Sequence, residues 1–543
     1  MSEPIQSSTL VLKSEGALPR VLVSDPIEPS GLSALQGVAQ LDVRTDLSPE
    51  QLLAIVGEYD AWMVRSQTKV TAELLAAASR MRIIGRAGVG VDNIDVPAAT
   101  RQGVVVVNSP AGNTIAAAEH TLAMLFALAR HVGPADAATK RGEWKRSKYV
   151  GCELFKKTLG VIGLGKIGSH VARVARAAGM RVVGYDPFVT AERAAEMGVT
   201  LSDVESVVSQ ADFLTLHVPK TPETTNLISA EMLRKAKPGL RIVNCSRGGI
   251  IDEAALVEAI DAGLVAGAAL DVFAKEPLEN DALRALGDKV LLTPHLGAST
   301  EEAQLNVAID VAEQIAEVLQ GGEARSAVNI PNVRAELVER LRPAMGLVEK
   351  LGAVAAQLAD GPIEAVTITF AGTLADVESR PLTNALLKGL LTPALAERVN
   401  FVNAGLLAKE RGIQVSEVRT DDADDYVELV RVTIRTSTRE RIVAGTLLNA
   451  DLPAIVQVDD YAFNLFLKGA LLFAPHQDVP GSVGKVGTIL GENAINIFGM
   501  QLGRRGVSGP ALMVLNLDHP APEVVLNEIR ALQGFFDIKM VQV

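Results

Sequence analysis

Cysteine is scarce in this chain of 543 residues, which contains only Cys152 and Cys245. Two cysteines cannot form a disulfide framework in a chain of this length, and such usage is typical of reducing compartments. The first 20 residues lack an apolar run of signal-peptide length. The longest apolar stretch, residues 121–129, is far shorter than the ~20 residues that a membrane-spanning helix needs. We therefore expect a cytoplasmic protein that is not embedded in a membrane.

Basic residues are also fewer than acidic ones. Lys and Arg number 52 against 64 Asp and Glu, which gives a formal net charge of −12, and no long basic run interrupts this background. Nucleic acid and anionic membrane surfaces are therefore excluded as expected partners. An anionic small ligand has to be held by a few local cations and helix N-termini, because the overall field repels it.

Apolar residues, in contrast, are numerous enough for several cores. Hydrophobic residues make up 48% of the chain and charged residues 21%, which is typical of folded globular proteins and not of disordered ones. At roughly 100 to 200 residues per domain, the length predicts three or four domains.

Short β-rich runs alternate with helical ones through the first half of the chain. Four such strands are predicted at residues 20–24, 61–66, 82–86 and 104–108, and six more between residues 159 and 293. Near-continuous apolar strands separated by crossover helices indicate parallel sheets that are covered on both faces. Long helices at 114–130 and 300–319 flank the second series, and the later helix is expected to return the chain to the first domain.

The pattern changes after Pro331. A long helix is followed by alternating runs at residues 363–370, 414–419 and 426–435, which predict antiparallel strands with one solvated face. The acidic run at 421–425 is interpreted as a solvated hairpin turn in preference to a metal loop. The last 75 residues have the order strand, helix, strand, strand, helix, strand, which predicts a ferredoxin-like unit.

A glycine-rich turn follows the first strand of the second series. Gly163, Gly165 and Gly168 have G-x-G-x-x-G spacing between a strand and a helix. This spacing allows a tight turn, close approach of a pyrophosphate to the backbone and close packing of helix on strand. Asp186, at the end of the next strand, can accept hydrogen bonds from ribose hydroxyls, and no Arg directly follows it to receive a 2′-phosphate. The pattern predicts NAD as the cofactor in preference to NADP.

Three polar residues follow later strands of the second series: Arg247, Glu276 and His295. In open parallel sheets ligands bind beyond the carboxyl ends of the strands, so we expect the three to converge on the nicotinamide. His295 can accept the hydroxyl proton in an alcohol oxidation, and Glu276 can stabilise the charged imidazole. Arg247 can hold a carboxylate or the developing carbonyl oxygen.

Two arginines end strands of the first series. Arg65 and Arg86 are expected to face the cleft and to bind an anionic part of the substrate, together with backbone N–H groups of the loop at Gly88. The alternative is that both are ordinary exposed arginines.

Cysteine and histidine side chains raise the possibility of covalent or metal chemistry. Cys245 could be a nucleophile, but it lacks an evident neighbouring base and is interpreted as a packing residue. No histidine other than His295 has a catalytic assignment, and none of them has metal-ligand spacing with another His or Cys. No metal is predicted.

Six segments resemble those of the D-isomer-specific 2-hydroxyacid dehydrogenases: GRAGVGVDNID, NSPAGNT, VIGLGKIG, NCSRGGIIDE, ALDVFAKEP and TPHLGAST. The resemblance covers nearly the whole chain and is most detailed for members that oxidise 3-phosphoglycerate. It implies an α/β fold in which a Rossmann NAD-binding domain (113–295) is inserted in a flavodoxin-like substrate domain (20–112 and 296–330). An α+β intervening domain (331–462) and a ferredoxin-like ACT regulatory domain (469–543) are then expected to follow.

The resemblance also assigns site residues. Catalysis falls on Arg247, Glu276 and His295, and substrate binding on Arg65, Arg86, Gly88, Val89 and Asn108. NAD binding falls on Gly163, Gly165, Lys166, Ile167, Gly168, Asp186, Val218, Pro219, Cys245, Ser246, Asp271, Gly297 and Ala298. The implied reaction is the NAD-dependent oxidation of 3-phospho-D-glycerate to 3-phosphooxypyruvate, which opens the phosphorylated route to L-serine. Val218 and His476 depart from the Thr and Tyr that some relatives carry there.

Two other functions stay open on sequence. One is a reductase of glyoxylate, hydroxypyruvate or 2-oxoglutarate, which would need neither a phosphate clamp nor an effector module. The other is an NAD-sensing interaction protein of the corepressor type, which shares the fold and the cofactor site.

The C-terminal unit is predicted to bind an amino acid, with L-serine the first candidate, at an interface between two copies of the chain. Gly481 opens a helix whose free N–H groups can receive a carboxylate. Asp478 can take the ammonium group, and Asn496, in the strand predicted at 495–501, can bond either end of the ligand. The alternative is that Asp478 and Gly481 only shape the start of the helix. A homodimer or homotetramer is expected.

Overall fold

The computed structural model describes residues 17–330, 335–395, 398–449, 451–506 and 509–543. Pro331, the expected domain boundary, lies outside these residues. Four β-sheets organise the described chain. Within it, no helix combines the length and the apolar character that crossing a membrane requires.

The first sheet is formed by residues near the N-terminus. Its strands are β1 (Arg20–Val23), β2 (Gln40–Val43), β3 (Ala61–Val64), β4 (Ile83–Arg86) and β5 (Val105–Asn108), and its helices are α1 (Pro49–Ile55), α2 (Ala72–Ala77) and α3 (Val96–Arg101). The strands are all parallel, in the order β2-β1-β3-β4-β5. This is the flavodoxin-like doubly wound order, so the predicted fold is confirmed here.

The sequence predicted four strands in this sheet and missed β2. The residues of β2, QLDV, are exposed or half-buried because the strand forms the sheet edge and pairs only with β1. A short polar edge strand lacks the apolar run that identifies a buried strand.

The second sheet is built by the middle of the chain. Its elements are α4 (Thr114–Arg130), α5 (Val132–Lys140), β6 (Thr158–Ile162), α6 (Lys166–Ala177), β7 (Arg181–Tyr185), α7 (Ala191–Glu196), β8 (Thr200–Leu201), α8 (Val204–Gln210), β9 (Phe213–Leu216), α9 (Ala230–Arg234), β10 (Leu240–Asn244), α10 (Glu253–Asp261), β11 (Val265–Leu270), α11 (Asp281–Ala285) and β12 (Val290–Leu292). All seven strands are parallel, in the order β12-β11-β10-β9-β6-β7-β8. The central order is that of a Rossmann fold, as predicted. The sequence missed β8, an edge strand of two residues.

Helix α12 (Glu301–Leu319) returns the chain to the first sheet. Thr300 caps it by accepting a hydrogen bond from the N–H of Ala303 (3.1 Å). The helix packs so closely on β4 that a Cβ added to Gly85 would lie 2.4 Å from Cγ1 of Val311. The second sheet is therefore inserted within the first unit, as predicted.

A six-stranded sheet follows. Its elements are α13 (Ala335–Leu358), β13 (Ile363–Gly372), α14 (Arg380–Leu391), α15 (Ala404–Glu410), β14 (Gln414–Thr420), β15 (Glu428–Thr436), β16 (Glu440–Leu448), β17 (Leu452–Val458) and β18 (Tyr461–Phe466). The strand order is β14-β13-β15-β16-β17-β18. Helices α13 and α14 bury their apolar faces against the sheet.

The predicted antiparallel pairing is wrong at one edge of this sheet. Strand β14 runs parallel to β13 because α14 and α15 carry the chain back across the sheet between them. The interpretation of residues 421–425 as a hairpin turn is wrong for the same reason, since they join β14 to β15 and β13 lies between those strands. Strands β16, β17 and β18 were not predicted.

The C-terminal unit contains β19 (Ala470–Gln477), α16 (Ser482–Glu492), β20 (Ile497–Arg504), β21 (Pro510–Leu517), α17 (Glu523–Arg530) and β22 (Lys539–Gln542). The antiparallel order β20-β21-β19-β22 and the two helices on one face confirm the ferredoxin-like prediction. The strand predicted at 495–501 begins two residues later, so Asn496 precedes β20.

The other face of this C-terminal sheet is covered by the intervening domain. Leu471, Phe473 and Val514 are buried in the same core as α13. The buried guanidinium of Arg441, on β16, bonds Asp537 beside β22 at 2.7 Å. The intervening and C-terminal units therefore pack as one body.

Side chains of the intervening domain fasten it to the first domain. Arg398 Nη1 donates to the carbonyl oxygen of Met81 (3.0 Å), and Asn400 Nδ2 donates to that of Gly103 (2.7 Å). Met81 and Gly103 precede β4 and β5, so this joint lies at the amino ends of the strands whose carboxyl ends face the cleft.

The crossing of α13 and α14 gives a test of this packing. A Cβ at Gly389 would lie 1.8 Å from the carbonyl oxygen of Glu349, whereas a Cβ at Gly346 on α13 would meet nothing within 4 Å. We expect Gly389→Ala to destabilise the protein by more than about 1 kcal/mol, although Ala favours helix formation. Gly346→Ala should instead stabilise it by up to about 1 kcal/mol. Calorimetric melting of the full chain measures both, and shifts in the same direction would contradict the close crossing.

Candidate active site

The glycine turn after β6 forms a cradle at the start of α6. Gly163 has a φ of 92°, and a Cβ there would lie 2.4 Å from the carbonyl oxygen of His217. A Cβ on Gly168 would lie 1.9 Å from the carbonyl oxygen of Gly163, so only glycine permits this approach of helix to strand. Gly165 caps α6 with open space beside it and no side-chain cap. The N–H groups of the first helical turn are therefore free to bind a pyrophosphate.

Asp186 braces this cradle from the end of β7. Its Oδ2 accepts a hydrogen bond from the N–H of Leu164 (2.8 Å), and its Oδ1 accepts one from the N–H of Phe188 (2.9 Å). The carboxylate is half-buried, so it can still receive ribose hydroxyls. The residues that follow it are Pro187, Phe188 and Val189, none of which can pair with a 2′-phosphate.

The remaining cofactor candidates flank the cradle. Lys166 and Ile167 open α6, and Val218 and Pro219 follow β9. Burial lowers the pKa of His217 to about 4, so this residue is neutral near pH 7. His217 therefore adds no charge beside the cradle.

Cys245 and Ser246 follow β10. Ser246 donates through its N–H (3.0 Å) and its hydroxyl (2.8 Å) to Oδ1 of Asn244, which fixes the turn. Burial raises the pKa of the Cys245 thiol to about 12. A thiol that stays protonated is a poor nucleophile, which favours the packing interpretation.

Asp271, directly after β11, is fully buried and holds the loop after β12. Its carboxylate accepts hydrogen bonds from Thr293 Oγ1 (2.6 Å), Leu296 N (2.8 Å) and Gly297 N (2.9 Å). These donors lie on both sides of His295, which adopts the left-handed region with a φ of 56°. Ala298 continues this loop along the cleft.

His295 and Glu276 form a hydrogen-bonded pair, with 2.8 Å between Nδ1 and Oε2. Burial raises the pKa of Glu276, but hydrogen bonds from His295 and from the N–H of Phe273 outweigh it and hold this pKa below its usual value. The ionised carboxylate accepts the Nδ1 proton, which leaves Nε2 as the basic atom of the neutral ring. This arrangement suits a general base.

The cleft beside this pair is a cavity of about 620 Å³ that both parallel sheets line. Arg65, Arg86 and Gly88 contribute from the first domain, and Glu276 and His295 from the second. Burial, together with repulsion by Arg247 and Arg65, lowers the pKa of Arg86 to about 10. Nε of Arg86 is buried without a hydrogen-bond partner. Arginines that repel one another around a cavity form a site for a multiply charged anion.

The loop after β4 lies between Arg86 and Arg247. Gly88 has a φ of 154°, and a Cβ there would lie 1.7 Å from Nη1 of Arg86. Asn108 Nδ2 donates to the carbonyl oxygen of Val89. Arg247 crosses from the second domain to this loop, where its Nε lies 3.2 Å from Oδ2 of Asp92.

Three family descriptions match successive parts of the chain. Residues 122–297 match the NAD binding domain of the D-isomer specific 2-hydroxyacid dehydrogenases. Residues 340–459 match the D-3-phosphoglycerate dehydrogenase intervening domain, and residues 475–534 match the ACT domain.

Curated relatives match over almost the full length. A D-3-phosphoglycerate dehydrogenase of Synechocystis is 54% identical over 519 residues, which are 95% of this chain and 94% of that protein. The chain belongs to the D-3-phosphoglycerate dehydrogenase family. A member from Archaeoglobus fulgidus is 44% identical over 526 residues, covering 96% of this chain and all of that protein.

Solved structures of the wider family match a little over half of the chain. An NAD-bound 3-phosphoglycerate dehydrogenase of Entamoeba histolytica aligns with a TM-score of 0.50 and 28% identity, covering 58% of this chain and 99% of that one. A D-lactate dehydrogenase of Aquifex aeolicus, solved with NAD and lactic acid, aligns with a TM-score of 0.52 and 28% identity over 57% of this chain and 98% of that one.

The effector residues predicted for this family member do not converge within one copy. Asp478 lies at the end of β19, where Arg504 pairs with it at 2.8 Å, and Gly481 caps α16 nearby with a φ of 91°. Asn496 lies by the far end of β21, where its N–H bonds Asp518 at 3.1 Å. A ligand can contact all three only if a second copy supplies one side.

The sequence did not identify two polar residues of the active site. Asp92 was missed because its partner, Arg247, lies in another domain.

His120, on α4, forms a cluster with Cys245 and Asp271, in which the possible ligand atoms lie within 4.8 Å of one another. Sequence spacing could not show this cluster. The Asp271 carboxylate already accepts hydrogen bonds, and the raised pKa of Cys245 keeps its thiol protonated. These three residues therefore form a hydrogen-bonded cluster and not a metal site.

Proposed function

We propose that this protein oxidises 3-phospho-D-glycerate to 3-phosphooxypyruvate with NAD, the first step of the phosphorylated pathway of L-serine biosynthesis. The observation that carries the proposal is the shared cavity, in which the His295–Glu276 pair faces Arg65 and Arg86. An alcohol base and an anion site thus lie on opposite domains of one cleft. A 2-hydroxy acid with a phosphate at its other end matches that arrangement.

Separate residues accept the proton, hold the carboxylate and bind the phosphate of the substrate. His295 accepts the C2 hydroxyl proton at Nε2, and the Glu276 carboxylate stabilises the resulting imidazolium. Arg247 holds the substrate carboxylate and orients C2, while Arg65 and Arg86 bind the phosphate with Gly88, Val89 and Asn108 shaping the loop. NAD, when bound, supplies the acceptor for the hydride from C2.

The NAD site is proposed on the second domain. Gly163, Gly165, Lys166, Ile167 and Gly168 receive the pyrophosphate, and Asp186 receives the adenosine ribose. Val218, Pro219, Cys245, Ser246, Gly297 and Ala298 line the path to the nicotinamide, and the buried Asp271 supports it by accepting the N–H of Gly297. The open space at Gly165 and the uncapped start of α6 fit the dinucleotide.

The two alternatives fit the cleft less well. A reductase of glyoxylate, hydroxypyruvate or 2-oxoglutarate needs no phosphate clamp, yet Arg65 and Arg86 both line this cavity. A corepressor-like sensor needs no base, yet Glu276 orients His295 by a hydrogen bond here.

We further propose that residues 469–543 bind L-serine between two copies, and that the protein is a cytoplasmic homodimer or homotetramer. An oligomer also accounts for large apolar side chains left exposed on the segment around α5, such as Trp144 (78% exposed) and Val150 (75%).

The role of His295 is tested by His295→Ala. We expect kcat to fall by about two to four orders of magnitude, the usual effect of removing a general base, while NADH binding persists. Reduction of NAD followed at 340 nm with phosphoglycerate measures turnover, and NADH fluorescence measures binding. His519→Ala is the matched control, because His519 is exposed on the C-terminal unit. Wild-type turnover in His295→Ala would exclude it as the base.

The phosphate site is tested by Arg86→Gln and Arg65→Gln. Each should raise KM for phosphoglycerate by about tenfold or more and affect 2-oxoglutarate far less, because only the former presents a phosphate to the guanidinium fork. Arg80→Gln is the control, since Arg80 is an exposed arginine of the same domain that pairs with Asp60. Equal effects on both substrates would remove the phosphate role.

The effector site is tested by calorimetric titration of the full chain with L-serine. We expect binding that Asp478→Ala abolishes and that Asp421→Ala, an exposed acidic residue between β14 and β15, leaves intact. The carboxylate is needed because the ligand's ammonium group requires a partner once it is removed from water. No heat at millimolar serine would refute the site.

A further inference from the structure

His120 has no role in the mechanism above, yet it contacts the residue that holds the catalytic turn. Its Nε2 lies 3.1 Å from Oδ1 of Asp271 and 3.4 Å from Oγ1 of Thr293. Asp271 is completely buried and the His120 side chain is 20% exposed. Among the described residues, His120 is the basic side chain that lies within 4 Å of the Asp271 carboxylate.

Asp271 determines the backbone conformation of His295. A non-glycine residue in the left-handed region is strained and persists only where its surroundings fix it. Here the Asp271 carboxylate binds donors from Thr293 on one side of His295 and from Leu296 and Gly297 on the other. The position of the imidazole therefore depends on where this carboxylate lies.

A buried carboxylate is stable only with sufficient donors and compensating charge. Burial raises the pKa of Asp271, and the hydrogen bond from His120 is the largest of the opposing effects, which together hold this pKa below its usual value. The negative charge of Asp271 also acts on Glu276, the partner of His295. Without a donor from α4, the Asp271 carboxylate would lose its largest stabilising hydrogen bond while still repelling the carboxylate of Glu276.

We propose that His120 is a positioning residue for His295 and acts through Asp271. Its Nε2–H anchors the carboxylate from α4, and the carboxylate in turn anchors both sides of the turn that carries the base. His120 does not reach the substrate. This inference rests on the proposed function, since it assigns a supporting role to the same base.

The test compares two replacements of similar volume. Gln at position 120 can place an amide N–H where Nε2 lies, whereas Leu cannot donate. We expect His120→Leu to lower kcat by ten- to a hundredfold, the effect of a base displaced by a fraction of an ångström to about 1 Å. His120→Gln should stay within about threefold of wild type. NADH affinity, measured by fluorescence, should change much less than kcat in both variants.

Two further readouts separate positioning from a general loss of structure. The deuterium isotope effect on kcat with 2-deuterated phosphoglycerate should rise in His120→Leu, because chemistry becomes more rate-limiting. In the His295→Ala background, His120→Leu should cause no further loss, since the two residues act through one step. Should the Leu variant fail to fold, His120→Asn replaces it, because its shorter amide cannot reach Asp271 and should lower kcat well below that of His120→Gln.

Several outcomes would overturn the inference. These are additive losses in the double variant, equal losses in the Gln and in the Leu or Asn variants, or a fall in NADH affinity as large as the fall in kcat. Wild-type turnover in His120→Leu while His295→Ala is inactive would refute this inference alone. A wild-type protein that does not reduce NAD with phosphoglycerate would instead refute the proposed function.

Discussion

The constraint on which the site depends is that two parallel sheets present their carboxyl ends to one cleft. Helices α4 and α12 impose it, because the chain leaves the first sheet at α4, builds the second, and returns at α12. Helix α12 is fixed closely against the first sheet. Gln314 on α12 donates a hydrogen bond to the carbonyl oxygen of Asn108 at 3.0 Å, at the end of β5 and shortly before α4. The first sheet contributes Arg65 and Arg86 to the cleft, and the second contributes the His295–Glu276 pair, so neither half is a complete site.

This division explains how a net acidic protein can hold a multiply charged anion. The arginines are not part of a basic surface. Each arginine ends a strand or follows one. Arg86 is buried and lies close enough to Arg65 and Arg247 for their positive charges to lower its pKa. Their mutual repulsion is unfavourable without a ligand, and an anion relieves it. Arg247 meanwhile rests on Asp92, an exposed carboxylate that the substrate can replace.

Local patterns in the sequence predicted the parts of the site that local geometry defines. Gly163 and Gly168 are required by close approaches within about six residues and to the loop after the adjacent strand, and Gly165 leaves open space between them, so the glycine spacing alone identified the cradle. Asp271 and His120 are different, because their contact depends on α4 packing beneath β11 and β12, and no spacing in the sequence shows this.

The strands of the fold show the same difference between local and tertiary information. Apolar strands such as β3 were evident from the sequence, whereas β2 was missed and the exposed β14 was mispaired. The parallel pairing of β14 follows from α14 and α15, two helices that the sequence interpretation left out.

The intervening and C-terminal units are connected to the cleft through β4. The C-terminal sheet shares the core of α13, so a ligand that shifts it must also shift the intervening domain. That domain holds the backbone of Met81 and Gly103, just before β4 and β5. Strand β4 is four residues long and ends at Arg86, so the joint lies only about 10–15 Å from the anion site along a buried strand. A rotation at the joint would therefore act first on Arg86, for which we propose phosphate binding, and only indirectly on His295, which belongs to the other sheet. An effector acting through this joint would change substrate affinity more directly than the proton transfer.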